Sequence, residues 1–189
     1  MTVEAIDVGG RKVPAPGTAD LVAPNAAALL RRNGTEMADR PAVRWNGGSW
    51  TYGELWAAMQ RWAGAFEAHR PSSGETPFHI GVLMDNSPTY LACIGAAALT
   101  GATLVGLNPT RMGAELARDA SHTDCVAIVT DGTYGRLLTD AGIALPPVEL
   151  GPTYVDDPSK DADITTRWLL VLTSGTSSAP KNDPRLMPM

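Results

Sequence analysis

Apolar residues along this chain follow two patterns, short continuous runs and longer stripes at helical spacing. Short runs are typical of strands buried on both faces, and stripes at three- or four-residue spacing are typical of helices with one buried face. The predicted strands are 80–84, 102–107, 125–130 and 168–172, and the predicted helices between and before them include 25–33, 88–100, 114–121 and 134–141. Their alternation predicts an α/β fold, with a mostly parallel sheet flanked by helices.

A hairpin and a capped helix are predicted before the first of these strands. Asn46-Gly47-Gly48 lies between two short β-type segments, 42–45 and 49–51, and Asn-Gly accepts the positive φ angles of a tight turn. Thr51 and Glu54 have the spacing of a capping box, in which each side chain bonds the other residue's free amide. The helix that follows carries a stripe of large apolar residues that we expect in the core: Leu55, Met59, Trp62 and Phe66, with Trp56 and Ala63 beside it.

Glycine, serine and proline mark the ends of two other helices. Gly34 is expected to end the helix 25–33, because a residue without Cβ accepts the left-handed cap conformation. Ser87 and Pro88 are expected to begin the helix 88–100, as its N-cap and its first residue.

Three segments lack a helix or strand pattern. Residues 1–20 are rich in glycine, proline and small polar residues and are expected to form a loose arm. Residues 151–166 are interpreted as a polar linker, and 182–189 contain two prolines and no strand or helix signal. The predicted organisation is therefore an arm at 1–20, one domain at 21–181 and a separate tail at 182–189.

Composition removes several classes of function. The net charge of −5 and the absence of a Lys/Arg cluster argue against a surface that binds the DNA or RNA backbone. Cys93 and Cys125 lie in apolar runs, so we predict reduced core cysteines in a cytoplasmic protein, with a disulfide between them as the alternative. The N-terminus has no basic segment followed by a long apolar one, so no secretory signal is predicted.

Residues 90–107 carry no charge and are long enough to span a bilayer. The run contains three glycines, begins after Pro88 and ends at Asn108-Pro109. A buried helix, a glycine stop and a buried strand explain this composition better than one membrane helix. We therefore predict no transmembrane segment.

The scattered titratable residues suggest neither a metal site nor a catalytic group. The three histidines, His69, His79 and His122, have no metal-ligand spacing. The acidic residues between 156 and 163 lack the glycine and terminal glutamate of a calcium loop, so a solvated linker is the better interpretation. Arg111 follows Asn108-Pro109, where it would reach either a substrate or a neighbouring domain, and its sequence context does not decide between them.

One segment has the composition of a phosphate-binding loop: Thr173-Ser174-Gly175-Thr176-Ser177-Ser178-Ala179-Pro180-Lys181. It offers close backbone approach, several hydroxyl groups and one mobile cation, which together suit a polyphosphate. A loop of this composition is often only a solvated linker. This one directly follows the last predicted strand, and ligands of parallel sheets bind beyond the carboxyl ends of strands.

Two better-known nucleotide motifs are excluded. In a Walker A loop starting at Gly175 the second glycine would fall at Pro180, and Asn182 stands in place of the metal-binding Ser or Thr. The dinucleotide pattern Gly-x-Gly-x-x-Gly does not occur in the chain.

The loop resembles the signature loop of the adenylate-forming enzymes, the superfamily of acyl-CoA synthetases, luciferases and nonribosomal-peptide adenylation domains. Further segments resemble the same family in the same order: Trp50-Thr51-Tyr52-Gly53-Glu54-Leu55, Gly81-Val82-Leu83-Met84-Asp85-Asn86-Ser87-Pro88, and 99–109 followed by Glu115-Leu116. Each segment alone is weak, whereas the ordered set is specific and covers most of residues 25–181. The Leu107-Asn108-Pro109 segment is similar to the fatty-acyl and sterol-side-chain CoA ligase branch.

This resemblance implies an incomplete N-terminal subdomain of an enzyme that joins a carboxylate to the α-phosphate of ATP and then transfers the acyl group to coenzyme A. The loop would clamp the β- and γ-phosphates, with Mg2+ as the accompanying ion. The implied binding residues are Thr173, Ser174, Thr176 and Ser177 as donors, Gly175 for close approach, and Lys181 as the cation. No catalytic residue and no protein metal ligand is implied within the chain.

The acyl pocket of this family lies downstream of residue 181, so several activities stay open. An acyl-CoA ligase for fatty or sterol-derived acids is favoured by the Leu-Asn-Pro segment. The alternatives are an aryl-CoA ligase, an adenylation enzyme that loads a carrier protein, and a non-catalytic remnant whose uncovered sheet self-associates.

The chain departs from the family pattern at and after the loop. Ser178 stands where the family has glycine, and after Lys181 the family continues with glycine and an apolar strand, whereas this chain continues Asn-Asp-Pro-Arg-Leu-Met-Pro-Met. The adenine pocket and the C-terminal catalytic lysine of the family have no counterpart before residue 181. We therefore expect a truncated chain that does not complete adenylation alone and keeps at best weak phosphate affinity.

Overall fold

The computed structural model describes residues 5–8, 11–14, 25–155, 167–171 and 185–188. The helices are α1 Ala26–Glu36, α2 Tyr52–Glu67, α3 Pro88–Thr100, α4 Gly113–His122 and α5 Gly135–Asp140. The strands are β1 Ala5–Val8, β2 Arg11–Pro14, β3 Pro41–Trp45, β4 Gly48–Thr51, β5 His79–Leu83, β6 Thr103–Gly106, β7 Cys125–Thr130, β8 Arg167–Val171 and β9 Arg185–Pro188. The helices and strands predicted between residues 25 and 172 are all present, with ends displaced by a few residues.

The central sheet is five-stranded, in the order β7-β5-β6-β8-β9. Strands β7, β5, β6 and β8 are parallel, and β9 is antiparallel to β8. Two separate hairpins are formed by β1 with β2 and by β3 with β4. The predicted α/β class with a mostly parallel, helix-flanked sheet is therefore confirmed.

Side chains of the parallel strands alternate between two buried cores, because helices cover both faces of the sheet. The first core lies between one face and helices α1, α2 and α3 and includes Phe66, Ile80, Val82, Leu99, Leu104 and Val129. The second core lies on the other face with α4 and α5 and includes Leu83, Val105, Leu107, Leu116 and Ile128. The chain crosses the sheet in opposite directions after β5 and after β6, and right-handed crossovers then place α3 and α4 on opposite faces.

The prediction that Gly34 ends α1 is wrong. The helix continues to Glu36, and Gly34 is buried within it. A Cβ on Gly34 would lie 2.5 Å from Cγ of Trp56. Glycine is needed at this position because α1 and α2 approach each other closely, and not because the backbone turns there.

The predicted N-terminal caps of α2 and α3 are confirmed. Thr51 Oγ1 accepts a hydrogen bond from Glu54 N at 3.3 Å, and Glu54 Oε2 accepts one from Thr51 N at 2.8 Å. Ser87 Oγ accepts from Tyr90 N at 3.1 Å, with Pro88 as the first residue of α3. These caps satisfy amide groups that a helix cannot pair internally, and they fix where α2 and α3 begin.

The uncharged run 90–107 is divided as predicted into a helix, a glycine and a strand. Helix α3 ends at Gly101, whose φ of 70° is left-handed, and β6 follows. Within the described ranges, no helix combines the length and the apolar character needed to cross a bilayer.

Both cysteines are free buried thiols, as predicted, and they form no disulfide. Burial raises the pKa of Cys93 far above its ordinary value and the pKa of Cys125 to about 11, so both stay protonated at neutral pH. Near Cys125, Nδ1 of His79 lies 2.7 Å from the carbonyl oxygen of Thr123. This contact ties the amino end of β5 to the residues that precede β7.

The outer segments contain strands that the sequence pattern did not reveal. The first 20 residues, expected to be a loose arm, include the β1–β2 hairpin, and the tail, expected to lack a strand, includes β9. Strands of four residues are defined by hydrogen bonds to a neighbour, and so short a segment leaves little periodicity to detect. Pro188 stands at the end of β9, a place where its missing N–H is tolerated. The domain limits at residues 20, 21, 181 and 182 stay predictions.

Candidate functional site

The parallel strands end together at one edge of the sheet, which we call the carboxyl edge. At this edge the chain leaves β5 toward α3 on one face and leaves β6 toward α4 on the other face. Neighbouring strands whose connections diverge in this way leave a crevice between them, where ligands of open α/β sheets bind. The candidate site therefore lies beyond the carboxyl ends of β5, β6 and the adjacent β8.

The part of the edge between β5 and β7 is closed by internal hydrogen bonds. Thr130 Oγ1 donates to the carbonyl oxygen of Leu83 at 2.9 Å. A hydrogen bond from the Tyr134 hydroxyl to Asp85 raises the pKa of Tyr134, because the neutral hydroxyl is the donor form. Tyr134 also contacts both cores. These groups link the loops that follow β5 and β7.

The loop after β6 is held in one conformation by its own polar groups. Asn108 Oδ1 accepts from Thr110 N at 2.9 Å and from Thr110 Oγ1 at 2.8 Å. This local turn fixes which way the Asn108 side chain is oriented. The amide group of Asn108 then remains as a donor beside the crevice, without a hydrogen-bond acceptor among the described residues.

Arg111 anchors this loop to α4. Its Nε lies 3.1 Å from Oδ2 of Asp119, whose side chain is only 2% exposed, and its Nη1 lies 3.9 Å from Oε2 of Glu115. A nearly buried carboxylate requires a partner, and the guanidinium supplies it. Among the described residues, Arg111 pairs within its own domain; whether it also reaches a substrate or a neighbouring domain stays a prediction.

Tyr90 reaches the carboxyl edge from the opposite face. It lies in the first turn of α3, and its ring packs against the first core. Its hydroxyl lies over Gly106, the last residue of β6, at 2.7 Å from the position that a Cβ on Gly106 would occupy. The absence of a side chain at Gly106 therefore leaves the space that the hydroxyl uses.

The residues predicted to bind phosphate, namely Thr173, Ser174, Gly175, Thr176, Ser177 and Lys181, lie outside the described residues. The structure does describe the strand before them. Strand β8 is parallel to β6 and ends at Val171, which is in register with Gly106 at the carboxyl edge. The next described residue after the loop, Arg185, pairs with Val171 at the same edge.

Sequence reasoning missed three features of this edge: the Tyr90 hydroxyl over Gly106, the Asn108 turn and the Arg111–Asp119 pair. The ion pair had a signal, since Arg111, Glu115 and Asp119 are spaced by four residues, as charges on one side of a helix are. The Tyr90 contact had none, because it joins α3 to a strand through space.

An open depression of about 320 Å³ lies elsewhere, at the amino end of β7. Its lining comes from the end of α4, the start of β7 and the segment 142–145. The depression is remote from the carboxyl edge in the topology, and polar and apolar atoms contribute about equally to its lining. We do not assign it to the candidate site.

Residues 30–182 match the AMP-binding enzyme family. A steroid-22-oyl-CoA synthetase from Rhodococcus jostii (strain RHA1) is 37% identical over 158 residues, which make up 76% of this chain and 28% of that protein. The medium/long-chain-fatty-acid–CoA ligase FadD17 from Mycobacterium tuberculosis (strain ATCC 25618 / H37Rv) is 36% identical over 120 residues, or 56% of this chain and 22% of that protein. The chain thus spans about a quarter of the length of these relatives.

Among solved structures, the N-terminal domain of FACL13 from Mycobacterium tuberculosis superposes with a TM-score of 0.74. The superposition covers 86% of this chain and 44% of that chain, at 19% sequence identity. At this identity the likeness shows a shared fold, and the family match over well more than half of the chain shows shared ancestry. The chain belongs to the family of AMP-binding enzymes, whose resemblance was visible in its loop and in the segments that precede it.

Proposed function

We propose that this chain forms the nucleotide-binding N-terminal part of an ATP-dependent acyl-CoA ligase. In this reaction a carboxylate oxygen attacks the α-phosphorus of ATP, and pyrophosphate leaves. The thiol of coenzyme A then attacks the acyl carbonyl carbon, and AMP leaves. Fatty or sterol-derived acids are the proposed substrates, because the relatives at 36–37% identity are named for a steroid acid and for medium- or long-chain fatty acids.

The observation that carries this proposal is the extent of the family match. It runs from residue 30 to residue 182 and so includes the whole hydroxyl-rich loop, Thr173 to Lys181. A loop of glycine, hydroxyl residues and lysine offers donors and positive charge to the phosphates of a nucleotide.

The topology supports the same location. Strand β8 lies inside the sheet between β6 and β9, and it runs parallel to β6 up to Val171. A chain that leaves a parallel strand at its carboxyl end enters the region where α/β proteins bind their ligands. The proposed loop begins immediately after this strand.

The proposed chemistry of the loop is electrostatic. Hydroxyl and amide donors from Thr173, Ser174, Thr176 and Ser177, together with the Lys181 ammonium, would stabilise the negative charge that develops on the leaving pyrophosphate. Gly175 would permit close backbone approach. Mg2+ in such sites is bound largely through the substrate phosphates, so we assign no described side chain to it.

The proposal is tested by titrating the 189-residue chain with Mg-ATP in a calorimeter or by phosphorus NMR. We expect a Kd in the millimolar range or tighter, and a loss of at least about tenfold in Lys181→Ala, since one charge-assisted donor to phosphate is removed. Lys160→Ala, which removes a lysine of the preceding polar segment, is the matched control and should bind as the unmodified chain does.

Two results would contradict the proposal. One is the absence of Mg-ATP binding by the folded, unmodified chain. The other is equal binding by Lys181→Ala and Lys160→Ala, which would show that any affinity is a general effect of positive charge.

A further inference from the structure

The turn of the β3–β4 hairpin carries an asparagine followed directly by a glycine. Trp45 and Gly48 are register partners, so Asn46 and Gly47 form the two-residue turn between them. Both turn residues are exposed. Among the described residues, the side-chain amide of Asn46 has no hydrogen-bond partner, and the backbone nitrogen of Gly47 donates to no acceptor.

An asparagine in this position can react with its own backbone. The nitrogen of Gly47 loses its proton and attacks Cγ of Asn46, the new C–N bond closes a succinimide ring, and the side-chain nitrogen leaves as ammonia. Water then opens the ring at either carbonyl carbon, which gives aspartate or isoaspartate. The net reaction consumes one water molecule, releases one ammonia and requires no oxidant or reductant. Glycine favours the first step because no side chain shields its nitrogen.

The hairpin leaves its turn free to adopt the geometry that this attack needs. Strands β3 and β4 pair only with each other among the described strands. Ala42 and Trp50 hold the hairpin on the first core, whereas residues 44–49 are all exposed. A two-stranded ribbon is marginally stable by itself, so its exposed tip opens at little cost in free energy.

A second asparagine–glycine pair, Asn33-Gly34, is protected by the fold. Both residues lie inside α1, and Gly34 is buried against Trp56. Oδ1 of Asn33 is buried as well. The backbone nitrogen of Gly34 belongs to the hydrogen-bond ladder of the helix, which would have to open before this nitrogen could attack. The same dipeptide therefore occurs in one accessible setting and in one protected setting.

We propose that Asn46 is a site of spontaneous modification, at which the side-chain amide is lost and aspartate or isoaspartate forms in the β3–β4 turn. Either product adds a negative charge to the tip of the hairpin. Isoaspartate also adds a methylene to the backbone, so Trp45 and Gly48 no longer face each other across a two-residue turn. The indole of Trp45 lies over Gly47, with its ring centroid 5.4 Å from that of Trp50, and this arrangement is lost with the turn.

The test incubates the folded 189-residue chain at mildly alkaline pH in water enriched in heavy oxygen, followed by trypsin digestion in ordinary water. The water that opens the ring leaves its oxygen in the new carboxylate, so only events in the folded chain are labelled. Trypsin separates the two pairs into the peptides 33–44 and 45–61. By mass spectrometry we expect label to accumulate at Asn46 at least about tenfold faster than at Asn33, because α1 must open before Asn33 reacts.

Two controls isolate the contribution of the fold and of this residue. In guanidinium chloride the two asparagines have the same glycine neighbour and no helix, so both should be labelled at similar rates. Asn46→Gln keeps an amide but requires a larger ring, so position 46 of the folded variant should stay unlabelled. The tryptophan fluorescence of this variant should stay constant during incubation, whereas that of the unmodified chain changes as label accumulates at Asn46.

Three results would overturn the inference. Equal labelling of Asn33 and Asn46 in the folded chain would show that the two settings do not differ in reactivity. Label at Asn46 only in guanidinium chloride would show that the turn stays closed in the folded chain. An equal fluorescence change in Asn46→Gln and in the unmodified chain would show that the change does not arise in this turn.

Discussion

The two faces of the central sheet are packed by different means. On the face of the first core, glycines allow close approach: a Cβ on Gly95 would lie 2.5 Å from Cγ of Met59, and one on Gly64 would lie 2.7 Å from the carbonyl carbon of Thr153. On the face of the second core, α4 is joined to the loop after β6 by the ion pair of Arg111 with Asp119 and borders the open depression.

This difference indicates that one face of the sheet holds its helices by close packing, whereas the other face leaves more open surface. Interlocked helices and a large buried aromatic residue, Phe66, hold α2 and α3 on the first face. Among the described residues, the second core has fewer buried apolar members, and beside it the buried carboxylate of Asp119 is paired with the partly exposed Arg111. The candidate crevice lies between the loops that lead to these two layers. Tyr90 borders it from the face of the first core, and Asn108 borders it from the loop that leads to α4 on the other face.

The largest expected effects come from one substitution made in both cores. Leu99 and Leu116 are almost fully buried, in α3 and α4 respectively. We expect Leu99→Ala to lower the free energy of unfolding by about 4 kcal/mol and Leu116→Ala by about 2–3 kcal/mol, because the cost depends on how far the surroundings collapse into the cavity. Ala117 and Ala120, which follow Leu116 on α4, line the open depression, where neighbouring segments have room to move.

Urea unfolding monitored by tryptophan fluorescence measures both free energies. Equal losses, or a larger loss in Leu116→Ala, would show that the two cores are equally tightly packed and would remove the basis of the comparison.

An effect of intermediate size is expected at the ion pair. Arg111→Met keeps the apolar stem but leaves the carboxylate of Asp119 buried without its cation, and we expect a loss of about 3 kcal/mol in unfolding free energy. Asp119→Asn removes the charge while keeping the shape and an oxygen acceptor, so its loss should be smaller. Chemical denaturation of the two variants decides the order, and the opposite order would mean that the arginine, and not the buried carboxylate, depends on the pair.

The smallest effect is expected where two helices meet. Gly34→Ala places a methyl group against the side chain of Trp56, and overpacking of this kind costs about 1–3 kcal/mol. Gly135→Ala, at the start of α5 with no atom within 4 Å of the added Cβ, is the matched control. We expect it to be neutral or to stabilise by about 0.5–1 kcal/mol. Thermal melts of the pair test this, and equal melting temperatures would contradict the close contact between α1 and α2.

The two glycines Gly34 and Gly101 show where prediction from sequence succeeds and where it stops. Gly101 ends α3 in a left-handed conformation, and the change from helical to strand pattern beside it was visible locally. Gly34 also follows an apolar, helical segment. Glycine is needed there because the side chain of Trp56, on another helix, packs against its Cα. Glycine is therefore required for a left-handed backbone at one position and for close helix packing at the other. Only the first requirement can be predicted from neighbouring positions in the sequence.

The candidate site shows the same division. The strand that ends at Val171 and the family resemblance could be predicted from consecutive residues, and the binding role of the hydroxyl-rich loop after it stays a prediction. The Tyr90 hydroxyl over Gly106 and the pairing of Arg111 with Asp119 could not, since each joins segments that are separate in the sequence.

By itself the sequence determined the order of the helices and strands between residues 25 and 172, the N-terminal caps of α2 and α3 and the family, because those features depend on residues a few positions apart. Tertiary structure alone decided the strand order β7-β5-β6-β8-β9, the short strands β1, β2 and β9, and which polar groups meet at the carboxyl edge. The physical reason is that pairing between strands and contact between helices depend on hydrogen bonds and shape across space. The periodicity of one segment does not indicate which other segment it will pair with.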